Sequence, residues 1–167
     1  FTIASPDSAT DRTLTLPDET GTLQIGGPTF SAYKTSTQSI SSTVYTKVTF
    51  DTVEFDTNSC FISSTFTPTV AGYYQINAVC YLTTGSGTTA NYRGLIYKNG
   101  ASVKQGAFST SAITEVQSGV NSIIYCNGST DYIEIYARVI GTSPSVYGDV
   151  NGRLYTYFDG AMVRSAT

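Results

Sequence analysis

The chain has 167 residues, 13% of them charged and 13% aromatic, with 13 Tyr, no His and a net charge of −3. That length suits one main domain with a short appendage, large enough to bury a core. The acidic balance argues against a phosphate-binding footprint, which needs clustered Lys and Arg, and the lack of His removes His-based triads, Cys–His nucleophiles and histidine metal sites. No run of about 18 apolar residues marks a membrane span. The chain opens on Phe1 with no leader pattern, and reads as the C-terminal piece of something longer.

Residues 1–25 hold three short alternating pieces, Phe1/Ile3, Leu14/Leu16 and Leu23/Ile25, with a turn at PDETG between the last two. Strands this short need neighbours. Copies of the same segment on other chains would serve; the alternative is an ordinary hairpin packed on the main domain. Gly26-Gly27-Pro28 then breaks the pattern, which sets a boundary between a segment over 1–27 and a domain over 28–167.

From residue 29 strands follow at regular spacing. Phe30, Ala32 and Lys34 alternate with Ser31 and Tyr33, and a polar loop covers 36–43. Short strands are expected at 46–50 and 53–55, a turn at 56–59, and a strand at 61–66. After Pro68 comes the longest alternation in the chain, 72–82. Tyr74, Ile76, Ala78, Cys80 and Leu82 share one face; Tyr73, Gln75, Asn77, Val79 and Tyr81 share the other. Apolar bulk on both faces implies burial on both, so the second face is expected to meet another chain. The alternative is a monomeric sandwich with a Tyr-rich wet face.

Strands at 92–98 and 102–108 flank Asn99-Gly100, the strongest hairpin signal present. A strand at 116–126 is expected to pair, through Asn127-Gly128, with one at 132–140, where Ile133, Ile135, Ala137 and Val139 split cleanly from Tyr132, Glu134, Tyr136 and Arg138. A loop over 141–148 precedes a last strand at 153–163. About ten strands with turns every 8–12 residues predict an all-β sandwich or jelly roll.

The three cysteines, Cys60, Cys80 and Cys126, make a poor disulfide framework and a poor zinc site. Cys80 reads as a buried thiol; a Cys80–Cys126 bridge is the alternative. Asp51, Glu54 and Asp56 read as a solvated edge rather than a glycosidase pair. Asp131 and Asp149 lie in loops without the spacing of a calcium site, so no metal is expected. No cofactor and no catalytic residue are assigned.

The run RTLTLPDETGTL, residues 12–23, resembles a segment that recurs in bacteriophage tail-fibre and other virion-fibre proteins. The resemblance implies an intertwined trimeric shaft or collar. From about residue 28 to 163 the chain resembles the C1q/TNF-like jelly roll, on Phe50, Asp56, Phe61, Phe66, Gly72 and Tyr74, on the stretch from Ser118-Gly119 to Ile135, and on the closing Tyr157-Phe158-Asp159-Gly160. The spacing of Phe61 and Phe66 is two residues short, and Ile76 and Ala78 replace aromatics. This resemblance implies a ten-stranded, homotrimeric jelly roll with Tyr73, Gln75, Asn77, Val79 and Tyr81 against the three-fold axis. Gln75 and Asn77 would then hydrogen-bond across chains.

The functional expectation is a fibre-tip adhesin in the virion, joined to upstream fibre proteins and binding a host surface glycan or protein. Recognition would fall to loops at 85–91, 109–113 and 142–150, with Ser86, Thr88, Asn91, Ser111, Ser143, Tyr147 and Asp149 as candidate contacts. The alternative is a structural cap, neck or decoration fibre without recognition.

Overall fold

The computed structural model describes residues 26–85, 90–111, 113–150 and 152–166. The LPDETGT segment, Ser86 and Thr88 lie outside the described residues. The strands are β1 (Thr29–Tyr33), β2 (Gln38–Ser39), β3 (Thr46–Lys47), β4 (Thr52–Asp56), β5 (Phe61–Ile62), β6 (Thr65–Phe66), β7 (Ala71–Thr83) and β8 (Ala90–Lys98). They continue with β9 (Ala101–Ser111), β10 (Glu115–Asn127), β11 (Ile133–Ile140), β12 (Ser145–Tyr147), β13 (Asp149–Val150), β14 (Arg153–Leu154) and β15 (Tyr157–Ser165).

β7 is the centre of the first sheet. β10 pairs with it over its whole length, from Ala71↔Asn127 to Thr83↔Glu115. On its other side lie β15, over Gly72 to Val79, and then β12, over Tyr81 to Thr83. β1 and β4 extend the sheet beyond β15, and β2 extends it beyond β12. The second sheet runs β5-β6-β11-β8-β9, with β3 also on β11. β13 and β14 form a separate small ribbon.

The two sheets face each other across an apolar core. Tyr74, Ile76, Ala78, Cys80 and Leu82 of β7 are all buried, as are Ile133, Ile135, Ala137 and Val139 of β11. At one end sits a phenylalanine cluster. Phe30 stacks on Phe61 at 4.7 Å and on Phe66 at 4.5 Å, and meets Phe158 edge-on at 4.8 Å. Each such ring contributes about 1.5–3 kcal/mol by burial, with about 0.5–1.5 kcal/mol more for a well-oriented pair.

Four expected features differ. The 116–126 and 132–140 strands do not form a hairpin. β10 pairs with β7 in the first sheet and β11 with β8 in the second, so the chain crosses between sheets at Asn127-Gly128. There the Asn127 side chain accepts the backbone N–H groups of Ser129, Thr130 and Asp131. Gly128, at φ 74°, lies so close to Ala71 that a Cβ would meet its nitrogen at 2.2 Å.

The expected strand at 61–66 is instead the β5–β6 hairpin, turning at Ser63 and Ser64 with φ of 51° and 60°. Ser64 keeps that left-handed backbone because its Oγ accepts the Phe50 N–H at 2.8 Å. The expected strand at 46–50 shortens to Thr46–Lys47. The last strand divides into β14 and β15 at the buried Thr156, whose Oγ1 accepts the Tyr81 N–H at 3.0 Å.

All three cysteines are free and buried. Cys80 stands opposite Ser118 and Cys126 opposite Gly72, eight positions apart along β7. That separation is about 26 Å, which rules out the bridge. Burial pushes the Cys80 thiol up to about 12 and the Cys126 thiol to about 11.

The three carboxylates of the expected wet edge each tie two segments together. Asp56 accepts the N–H groups of Cys60 and Phe61, and Glu54 accepts the Ser31 hydroxyl. Asp51 accepts the N–H and hydroxyl of both Thr35 and Ser36.

The seam between β9 and β10 closes one side of the sandwich. Fully buried Ser118 accepts the Gly94 N–H and donates to the Ala107 carbonyl, both at 2.9 Å. Gly106 packs so tightly there that a Cβ would fall 2.1 Å from the Gly119 oxygen.

Replacing Ser118 with Ala would strand the Gly94 N–H and the Ala107 carbonyl at once. The expected loss is about 2 kcal/mol, read as a lower urea midpoint at unchanged slope. At Asp51, partial burial alone would raise the pKa, but the Ser36 and Thr35 donors outweigh it and hold the carboxyl at about 2, against an ordinary 3.8. A depressed carboxyl stabilises the fold above its unfolded pKa and loses that contribution as pH falls through its folded one. Stability should therefore drop between pH 3.8 and about 2, and Asp51→Asn should flatten that part of a melting-temperature profile.

Candidate functional site

The outward face of the first sheet is built in rungs, because β10, β7 and β15 lie in register. One rung is Tyr125–Tyr73, the next Ile123–Gln75–Ala161, the next Asn121–Asn77–Asp159, then Gly119–Val79–Tyr157, and last Gln117–Tyr81–Tyr147. All five expected interface residues lie on this face: Tyr73 exposed, and Gln75, Asn77, Val79 and Tyr81 half-buried.

The rungs divide by chemistry. At the Ala71 end the face is apolar. The Tyr73 and Tyr125 rings lie 5.5 Å apart. Ile123 is 56% exposed and Val163 52%, and these two line, with Tyr73 and Arg164, a cavity of about 410 Å³.

The middle is polar. Gln75 Nε2 donates to Asn77 Oδ1 at 3.0 Å, and Asn77 Nδ2 donates to Asp159 Oδ1 at 2.8 Å. Within one chain the two amides are thus linked to each other and to Asp159. Positions two apart on a strand share a face, and Asp159 stands directly opposite Asn77.

The Thr83 end carries three tyrosines. Tyr81 lies 5.0 Å from Tyr155 at 30°, and 5.8 Å from Tyr147 at 82°. The Tyr81 hydroxyl donates to Glu115 Oε2. That bond, with burial and the Glu115 charge, pushes the phenol up to about 12. The group borders a cavity of about 430 Å³.

The two ends of the sheet have different neighbours. Pro28 accepts the Met162 N–H and Ala71 accepts the Ala166 N–H, so residues 26 and 166 lie near the Ala71 end. The Thr84 N–H donates to the Thr114 carbonyl and the Gly85 N–H to the Thr142 carbonyl, so the segments around 84, 114 and 142 gather at the other end. β7 holds these ends about 40 Å apart.

Several expected loop contacts fall elsewhere. Asn91 is inside β8, half-buried, and its Oδ1 accepts from Arg93 Nε at 3.1 Å. Ser111 ends β9, paired with Ala90. Tyr147 belongs to β12 and packs on Tyr81, so it lies on the sheet face. Asp149 is exposed in the β13 ribbon. Ser143 is an exposed loop residue at φ 48°.

Ile123, Tyr125, Val163, Glu115 and Tyr155 are face residues that the sequence reading missed. The signal for two of them was present: Ile123 and Tyr125 alternate with buried Ile124 and Cys126 along β10.

Among the described residues no group of His, Cys, Asp or Glu is placed to hold a metal. Asp131 is already engaged by Lys98 at 2.8 Å, Asn99 and the Asn127 N–H.

This two-sheet arrangement defines a C1q/TNF-like jelly roll. No protein-family profile and no curated protein sequence matches the chain. Solved structures do. The globular domain of zebrafish complement 1qA protein is 19% identical at a TM-score of 0.56, over 83% of this chain and 99% of that one. Eiger TNF from S. frugiperda is 9% identical at 0.61, over 85% and 96%. Murine APRIL is 8% identical at 0.56, over 82% and 99%. At these identities the likeness is one of fold.

Glu115→Gln replaces a charged acceptor with a neutral one and removes the repulsion against a phenolate. The Tyr81 ionisation near 12 should move down toward the ordinary tyrosine range in a 295 nm absorbance titration. An unmoved titration would show that Glu115 does not set it.

Proposed function

We propose that the chain is the homotrimeric tip of a virion fibre and attaches the particle to a host cell surface. The observation that carries this reading is the polarity of the domain. An exposed apolar patch and both described chain ends lie at one end of the sheet; the loop segments gather about 40 Å away. A segment entering at residue 26 would continue into the shaft that the LPDETGT run implies. The loop end would then point away from the particle.

The trimer is supported by the fold and by the outward face. Tyr73, Tyr125, Ile123 and Val163 expose apolar surface in the single chain, and a cluster of this kind marks a contact surface. Aromatics there bury much area at little entropy cost. Val79 and the half-buried Gln75–Asn77 pair continue the surface toward the loop end. Three equivalent sites per tip, and several tips per particle, would add avidity to weak single contacts.

Sedimentation equilibrium should give three times the chain mass at micromolar concentration. Ile123→Asp should shift it to monomer without loss of β-structure by circular dichroism. A monomeric wild-type chain would sink the trimer. Host cells mixed with the trimer should bind it and become protected from infection. A trimer that does neither would leave only a structural cap.

A further inference from the structure

The three tyrosines at the Thr83 end form a setting distinct from the apolar end of the same face. Tyr81 is covered on one side by Tyr155 and flanked at nearly a right angle by Tyr147. Tyr147 keeps 36% of its surface open. Glu115 accepts one phenol hydrogen and is otherwise exposed. Ser143, Ser145 and threonine hydroxyls complete the wall of a cavity of about 430 Å³. That size falls in the range of small-ligand sites.

The chemistry of the wall selects among ligands. An open aromatic face stacks on the apolar side of a sugar ring. A carboxylate with free lone pairs accepts from neighbouring hydroxyls. Serine and threonine hydroxyls both give and accept. No Lys or Arg lines the cavity among the described residues, so an anionic sugar would meet only the Glu115 charge. A quaternary cation would need rings set around an open space, but Tyr81 and Tyr155 close on each other at 5.0 Å.

The geometry points to a neutral-saccharide subsite formed by Tyr147, Tyr81, Tyr155 and Glu115, with Ser143 and Ser145 as hydroxyl partners. The inference rests on the adhesin reading for its biological role. It names the surface glycan as the receptor and moves recognition from loop tips to the rim of the sheet face. The Glu115 charge has one neutral donor, the Tyr81 hydroxyl, and no cation among the described residues of the wall. Burying it would be costly, so in this proposal the contact between copies stops short of the cleft and leaves it open at the outer end.

The test uses the full chain and saturation-transfer NMR with methyl β-galactoside, methyl α-glucoside and N-acetylglucosamine. N-acetylneuraminic acid and tetramethylammonium serve as comparisons. At least one neutral sugar should bind saturably, in the millimolar range. Tyr147→Ala and Glu115→Gln should each weaken it by about tenfold or more at unchanged melting temperature. Tyr45→Ala, on an exposed ring in the loop just before β3, should leave it unchanged.

Absence of saturation with every neutral sugar, preference for either comparison compound, or equal binding by Tyr147→Ala would overturn the subsite. Cell binding separates it from the adhesin reading. If wild-type chain and Tyr147→Ala bind cells equally, the chain is an adhesin and this cleft is not its receptor site. If the wild type binds a neutral sugar but no cells, the cleft stands and the adhesin reading falls.

Discussion

The structure depends on β7 being hydrogen-bonded along both edges while both its faces carry bulk. β10 satisfies one edge over all thirteen residues, and β15 and β12 share the other. With its backbone groups paired, β7 can bury Tyr74 and Ile76 completely without stranding a donor or acceptor. The single polar atom that this burial brings inside, the Tyr74 hydroxyl, donates to the Val70 carbonyl at 2.6 Å. The phenylalanine cluster and the β9–β10 seam then fix how the second sheet lies over the first.

The outward face of that strand is not one surface. Its apolar end favours removal from water, and its middle is a polar chain from Gln75 through Asn77 to Asp159. Its far end holds a carboxylate that resists burial. These three rungs of differing chemistry follow from register alone: Tyr73 faces Tyr125, Asn77 faces Asp159 and Tyr81 faces Tyr147. A shift of one residue in β10 would turn Ile123 and Tyr125 inward and Ile124 outward.

Local pattern revealed strands far better than partners. The alternations of β7 and β11 were plain in the sequence, and Asn99-Gly100 forms the expected two-residue turn, with φ of 53° and 78°. The same dipeptide at Asn127-Gly128 does something else. It carries the chain from one sheet to the other, because Asn127 caps three N–H groups and Gly128 nests against Ala71. Nothing within the dipeptide records a contact more than fifty residues away. Ser63-Ser64 is illegible for a similar reason: serine has no preference for that backbone, and its stability comes from Phe50. The tyrosine cleft was not legible because Tyr147 reads as a loop contact and Tyr155 as part of the last strand, with nothing local to join them. Only strand pairing brings them to Tyr81.

The placement of β1 has a mechanical meaning. It is the strand that follows the linker at residues 26–28, and it lies between β15 and β4 with rungs to both. Tension on the linker, against an anchor at the loop end, runs along β1 and not across it. Its cross-strand hydrogen bonds stand perpendicular to that direction. They share the load in shear, so they must yield together and cannot peel away one at a time.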